Sequence, residues 1–132
     1  MIEYRTDEKI NVLTFKELIT RTTLHRRLDD LVRLQNMLNH ADFMYTAWDD
    51  SQVIGYIRGL TDYGDVTYIA DLGIDKKYWH QGIGTKLLAL VEQELGTDLN
   101  TVLVASQLAE NYYEKVGFTK TTRGYLKVAS DT

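Results

Sequence analysis

The chain predicts an α+β domain built on a mixed, mostly antiparallel central sheet flanked by helices. Three observations carry this expectation. Two helix-period stretches come first, and three strand-like runs separated by short Asp- and Gly-containing turns follow them. A helix–strand–helix passage and two further strand-like runs then close the chain. The order is therefore β-α-α-β-β-β-α-β-α-β-β. With 132 residues, 44% of them hydrophobic and 26% charged, a single domain spanning residues 1–132 with a substantial core is expected.

Ile2 to Arg5 reads as a short strand. Thr14 is placed to cap a helix, with Glu17 three residues on as a capping box and Phe15, Leu18 and Ile19 as its apolar face. A second helical pattern runs from about Leu24 to Asn39. Leu24, Leu28, Leu31, Val32, Gln35 and Leu38 form its stripe, and most of the charges lie off it. The period then changes to two. Phe43 to Trp48 and Val53 to Leu60 form a predicted hairpin around the turn cluster Asp49-Asp50-Ser51-Gln52. Val66 to Ile74 follows the turn Asp62-Tyr63-Gly64-Asp65 as a third strand, and Thr85 to Leu95 is strongly amphipathic. Thr101 to Ala105 is a short apolar strand of the kind expected at the centre of a sheet. Leu108 to Val116 reads as a short helix whose Leu108, Tyr112 and Val116 are spaced by four, stopped by Gly117. Phe118 to Thr122 and Tyr125 to Val128 are expected to form a last hairpin around Arg123-Gly124.

Composition removes several classes of function. The absence of cysteine excludes disulfides, thiolate nucleophiles and cysteine zinc sites. His25, His40 and His80 lack metal-ligand spacing, so no metal is expected. The formal charge is −4 and no basic run is present, which argues against nucleic acid as a partner. No apolar run approaches the roughly 20 residues of a membrane span. The first residues lack a signal-peptide core, so a cytoplasmic location without membrane attachment is expected.

The most informative stretch is Gln81-Gly82-Ile83-Gly84-Thr85, at the junction of a strand and an amphipathic helix. Glycines there let backbone N–H groups approach an anion, and the helix start adds about half a positive charge. The plainer reading is a tight loop whose glycines solve a packing problem. Two nucleotide motifs fail on spacing. Gly82-Ile83-Gly84-Thr85-Lys86 does not fit the P-loop, and Gly82-x-Gly84 is followed by Leu87 where a dinucleotide loop needs glycine.

Residues Leu72 to Leu88 resemble instead the acetyl-CoA loop of the GNAT N-acetyltransferase superfamily. Ile74 matches the Val/Ile at the end of that family's strand, and Gly82 and Gly84 match its glycines. Downstream, Ala109-Glu110-Asn111-Tyr112-Tyr113-Glu114-Lys115-Val116-Gly117-Phe118 is similar to the family's Ala-x-x-x-Tyr-x-x-x-Gly-Phe segment. The order of elements agrees along nearly the whole chain. Two positions depart from the pattern. Trp79 stands where the family has Gln or Arg, and Ser106 where it commonly has Asn. Indole offers one donor and no acceptor, so the loop is expected to hold phosphates mainly by backbone, with Gln81 or Lys86 as partial substitutes.

The resemblance implies acetyl transfer from acetyl-CoA, used as co-substrate, to a primary amine by direct attack. It implies Tyr113 as proton donor to the CoA sulfur and the Ile74 N–H as oxyanion donor. Leu72, Gly73, Ile74, Trp79, Gln81, Gly82, Ile83, Gly84, Thr85, Ser106 and Tyr113 are its implied cofactor residues. Tyr112 reads as core. Asp71 has two readings, a base or ammonium ligand and a structural carboxylate held by loop N–H groups. The acceptor side is expected between Thr20 and Asp30 and at Tyr68 and Tyr125, with Asp29 and Asp30 as candidates to attract a cationic amine. The acceptor is expected to be a small-molecule amine, and family members are often homodimers. Two alternatives stay open: a non-catalytic acetyl-CoA sensor, and a protein or peptide N-acetyltransferase.

Overall fold

A computed structural model describes residues 1–130. Its elements are β1 (Ile2–Arg5), α1 (Val12–Thr20), α2 (Leu31–His40), β2 (Phe43–Asp49), β3 (Gln52–Thr61), β4 (Val66–Ile74), α3 (Ile83–Leu95), β5 (Asn100–Leu103) and α4 (Tyr112–Lys115). The sheet runs β1-β2-β3-β4-β5 in chain order. The first four strands are antiparallel neighbours, and β5 pairs parallel to β4. This is the expected mixed, mostly antiparallel α+β sheet.

Two cores cover its two faces. Phe15, Leu18 and Ile19 of α1 and Leu34 of α2 pack with Val53 and Tyr56 on one face. Phe15 meets the Tyr56 ring edge-on at 5.3 Å. Each such side chain contributes about 1.5–3 kcal/mol by leaving water. On the other face Ile83, Leu87, Leu90 and Val91 of α3 lie on Phe43, Tyr45, Ala47, Ile54, Ile57 and Ile69. Cover on both faces explains why β3 is buried without a break from Val53 to Ile57, while β4 still alternates.

Several boundaries differ from the sequence expectation. The cap of α1 is Asn11, whose Oδ1 accepts the Thr14 N–H at 2.8 Å. The helix expected from Leu24 begins only at Leu31. There Asp30 accepts the Arg33 N–H at 3.0 Å, and Leu24 and Leu28 pack into the core from a loop. An N-cap carboxylate satisfies donors that a continuing helix would otherwise bond, so it fixes the start.

The short apolar strand is not central. β5 lies at the edge of the described sheet and is largely exposed, since among the described residues no further strand pairs with it; its apolar continuation, Val104 and Ala105, walls a cleft. The helix expected from Leu108 is a single turn, Gln107–Ala109, followed by α4, and Leu108 is exposed. The final hairpin is not formed. Phe118 packs on the core, but Tyr125, Leu126 and Val128 are exposed and the segment carries no strand. Alternation makes a segment compatible with a strand; a paired neighbour and a buried face are what hold it there.

Candidate active site

Pairing between β4 and β5 stops at Ile69 and Leu103. Immediately beyond, β4 carries an extra residue. Gly59 pairs with Ile69 and Arg58 with Asp71, so Ala70 is bulged out. The two strands separate from this point. The gap between them is a cleft of about 650 Å³ walled by Leu72, Gly73 and Ile74 on one side and by Val104, Ala105 and Ser106 on the other.

The end of β4 presents its backbone to this cleft. Asp75 N–H donates to Ile54 O at 2.8 Å, back toward β3. Neighbouring residues of a strand direct their amides to opposite edges, so the Ile74 N–H points the other way. The Ile74 carbonyl shares that edge, and it accepts the Trp79 indole N–H at 3.0 Å. Trp79 therefore folds the connecting loop back on the strand end, occupying the position of a family polar side chain with a donor that binds protein. The same loop is tied from below. Buried Asp75 accepts from Arg21 Nε at 2.9 Å and from Lys77 N–H at 2.9 Å, and Lys76 N–H donates to Arg21 O.

The loop ends at Gly82, the first residue before α3. Its φ of 77° lies in the left-handed region, which explains glycine there. Buried Ile83 anchors the turn into the core, while Gly82, Gly84 and Thr85 line the cleft. A Cβ on Gly84 would stand 3.4 Å from the Tyr112 hydroxyl, an ordinary contact, so α4 approaches this turn closely without itself requiring glycine. Among the described residues no side chain caps α3, which leaves its first N–H groups available at the cleft wall. This is the donor set that a pyrophosphate needs, with backbone N–H at a positive helix end and little side-chain bulk. The residues present thus fit a CoA-type group. Of the two expected substitutes for the family side chain, Gln81 does not line the cleft. The Lys86 ammonium sits over the Tyr4 ring at 5.9 Å.

Tyr113 lines the opposite wall. Phe118 N–H returns to Tyr113 O at 3.0 Å around Gly117, and the Phe118 ring meets the Tyr113 ring edge-on at 5.6 Å. The Gly-Phe pair thus fixes the tyrosine. Among the described residues the Tyr113 hydroxyl has no hydrogen-bond partner, and burial, aided by neighbouring Tyr112, pushes it up to about 12. It keeps its proton throughout the neutral range. Tyr112 is not the core residue its spacing suggests. Its hydroxyl lies 2.7 Å from Thr85 Oγ1, at the start of α3.

Sequence reasoning missed a charged cluster at the bulge of β4. Asp71 is fully buried. One oxygen accepts from Arg26, and the other accepts from Arg58 Nε at 2.7 Å and the Tyr56 hydroxyl at 3.0 Å. Asp71 does not line the cleft, whereas Arg26 does, from the loop between α1 and α2. Burial, and next the charge of Asp71, hold the Tyr56 phenol well above its usual value, so it stays neutral. The available signal was Arg58 itself, a charge within the otherwise apolar run Val53 to Leu60. Asp29 and Asp30 are exposed, and Asp30 is engaged as the α2 cap; Tyr68 and Tyr125 do not line the cleft.

The model of the acetyltransferase (GNAT) family matches residues 12–118. The chain belongs to the GNAT acetyltransferase family. That family uses acetyl-CoA. Solved structures share its fold at low identity. SA2161, a protein of unknown function from Staphylococcus aureus, superposes with a TM-score of 0.84 at 20% identity, covering 98% of this chain and 100% of that one. The GNAT family protein SP0256 of Streptococcus pneumoniae gives 0.78 at 20% identity, covering 99% and 100%. An aminoglycoside acetyltransferase from an uncultured soil metagenomic sample, solved with sisomicin, gives 0.70 at 17% identity, covering 99% and 97%. Among curated proteins no significant match is found.

Proposed function

We propose that the protein is an acetyl-CoA-dependent N-acetyltransferase that acetylates a primary amine of a small molecule by direct attack. One observation carries the reading. The opened β4–β5 edge at Ile74, the glycine start of α3 and Tyr113 all line one cleft. When bound, acetyl-CoA supplies an acetyl group activated as a thioester.

The protein's own groups then divide the work. Backbone N–H groups of Gly82 to Thr85 hold the pyrophosphate, and Ser106 and Leu72 to Ile74 border the pantetheine channel. The Ile74 N–H donates to the oxygen on which charge develops, a fixed donor that needs no reorganisation. Trp79 keeps the adjacent carbonyl engaged and the strand end in place. Tyr113 donates its proton to the departing sulfur.

Asp71 is better suited to anchoring than to general base catalysis, because both its oxygens already accept charged or phenolic donors. The amine's proton then leaves through water.

The test is incubation of purified protein with acetyl-CoA and a panel of amines, following thiol release and the mass of the acetylated product. Thiol release that depends on the amine supports the reading. Binding of acetyl-CoA without release over the whole panel supports a sensor instead, which the engaged state of Asp71 would suit.

A further inference from the structure

Between Ile69 and Asp71, β4 holds one residue more than β3 can pair. Gly59 stands opposite Ile69 and Arg58 opposite Asp71, and Ala70 is the extra residue. A strand directs successive amides to opposite edges, so one extra residue inverts every assignment beyond it. With the bulge in place, Gly55 stands opposite Ile74, the Asp75 N–H reaches Ile54 O at 2.8 Å, and the Ile74 N–H is left to the cleft. Were the bulge absorbed, Arg58 would pair with Ala70 and Gly55 with Gly73. The Ile74 N–H would then turn toward β3 and be lost to the cleft.

One side chain grips both residues at the bulge. Arg26 Nη2 donates to the Ala70 carbonyl at 3.3 Å and to an oxygen of Asp71, while its Nη1 donates to His25 O at 2.6 Å in its own loop. From the other side Arg58, on β3, holds the second Asp71 oxygen. The Asp71 side chain is fully buried, so a slip of register would leave a carboxylate without partners and without water. A planar guanidinium suits this task, since one nitrogen serves two acceptors while another stays tied to the loop. Arg26 itself lines the cleft, so the register is held from the loop between α1 and α2, outside the sheet. Resting on the acetyltransferase reading above, we infer that Arg26 is a positioning residue for acetyl transfer: by clamping Ala70 and Asp71 it keeps the register in which the cleft receives the Ile74 N–H.

The experiment follows R26Q and R26K through two reactions of acetyl-CoA. One is transfer to the best amine of the panel above. The other is hydrolysis, in which water takes the acetyl group and gives acetate and the free thiol. Both draw on the Ile74 donor, and hydrolysis involves no amine. R26Q is expected to lower both rate constants by a similar factor, about 10- to 100-fold, because a displaced oxyanion donor acts on the barrier. KM for acetyl-CoA should change by about twofold or less. R26K, whose compact ammonium cannot reach both acceptors and the loop together, recovers only part of the loss. A fall in transfer with hydrolysis unchanged overturns the inference, since Arg26 then acts on the amine. A fall in melting temperature with both rates unchanged overturns it as well. If the unaltered protein performs neither reaction, the acetyltransferase reading fails, and amide hydrogen exchange tests the register by itself. The Asp75 N–H is expected to be protected and the Ile74 N–H open in the unaltered protein, with that contrast reduced or reversed in R26Q. The same contrast in both proteins overturns the clamp.

Discussion

The Tyr112 hydroxyl lies 2.7 Å from that of Thr85, joining α4 to the first turn of α3 across the mouth of the cleft. The contact sets the distance between the two walls where a pyrophosphate is proposed to sit. A neutral hydrogen bond of this kind contributes about 1 kcal/mol. Tyr112→Phe is therefore expected to raise the KM for acetyl-CoA about fivefold and leave kcat nearly unchanged. Steady-state kinetics with acetyl-CoA varied at saturating amine would check this.

Tyr113 predicts the opposite split. Its hydroxyl has no partner among the described residues and keeps its proton, so removing it takes away a donor without disturbing a bond. Tyr113→Phe is expected to lower kcat by about 10²-fold with little change in either KM. A variant with full turnover would show that the sulfur takes its proton from elsewhere.

Asp71 is expected to matter for the fold more than for the pH profile. Replacing it with Ala leaves Arg26 and Arg58 without their buried counter-charge, a loss of about 3–5 kcal/mol. Chemical denaturation should show the midpoint falling by that equivalent. If Asp71→Asn instead kept stability and moved only the acidic limb of the pH–rate curve, Asp71 would be a base.

Gly73 has no room for a side chain. An added Cβ would lie 2.8 Å from Leu24 Cδ1, 3.1 Å from Thr22 Cγ2 and 3.2 Å from a Tyr56 ring carbon. Gly73→Ala is expected to cost about 1–3 kcal/mol by overpacking. The displaced Leu24 belongs to the loop that carries Arg26, so thermal melts should fall together with acceptor binding.

Alkaline pH should destabilise the protein through its buried and half-buried tyrosines, Tyr45, Tyr56 and Tyr113. Burial first, then nearby Glu94, pushes Tyr45 up to about 12, and burial does the same for Tyr113. The unfolded chain releases these protons near 10. Stability from their neutral forms is therefore complete below pH 10 and is lost as pH rises from 10 toward 12. Melting temperature measured across that window should fall less steeply in Tyr45→Phe and Tyr113→Phe.

The parts of the site legible in the sequence are those set by local spacing. Gly82 and Gly84 stand at a strand–helix junction that local spacing marks, and Tyr113, four residues before Gly117, is singled out by the resemblance to the family's Tyr-x-x-x-Gly-Phe segment. The Asp71 cluster escaped because it is assembled across 45 residues to Arg26 and 13 to Arg58, distances over which a sequence pattern carries no register. Tyr112 was misread for a related reason. Its spacing with Leu108 implies one continuous helix, but Leu108 belongs to a separate turn, so the two share no stripe. The last hairpin failed on pairing, which alternation along one segment does not encode.

The way β5 joins the sheet bears on how the molecule is made. Strands β2, β3 and β4 follow one another as a meander and can zip up from adjacent sequence, whereas Ile69 and Leu103 meet only after all of α3 has been laid down between them. Contacts that close long loops form late. The cleft is bounded by this pairing, so it comes into being at the end of folding, and a ligand that fills it engages only chains that have finished. By mass action such a ligand draws the population toward the completed state and away from proteolysis. The supply of cleft ligand would then govern the lifetime of the protein as well as its turnover.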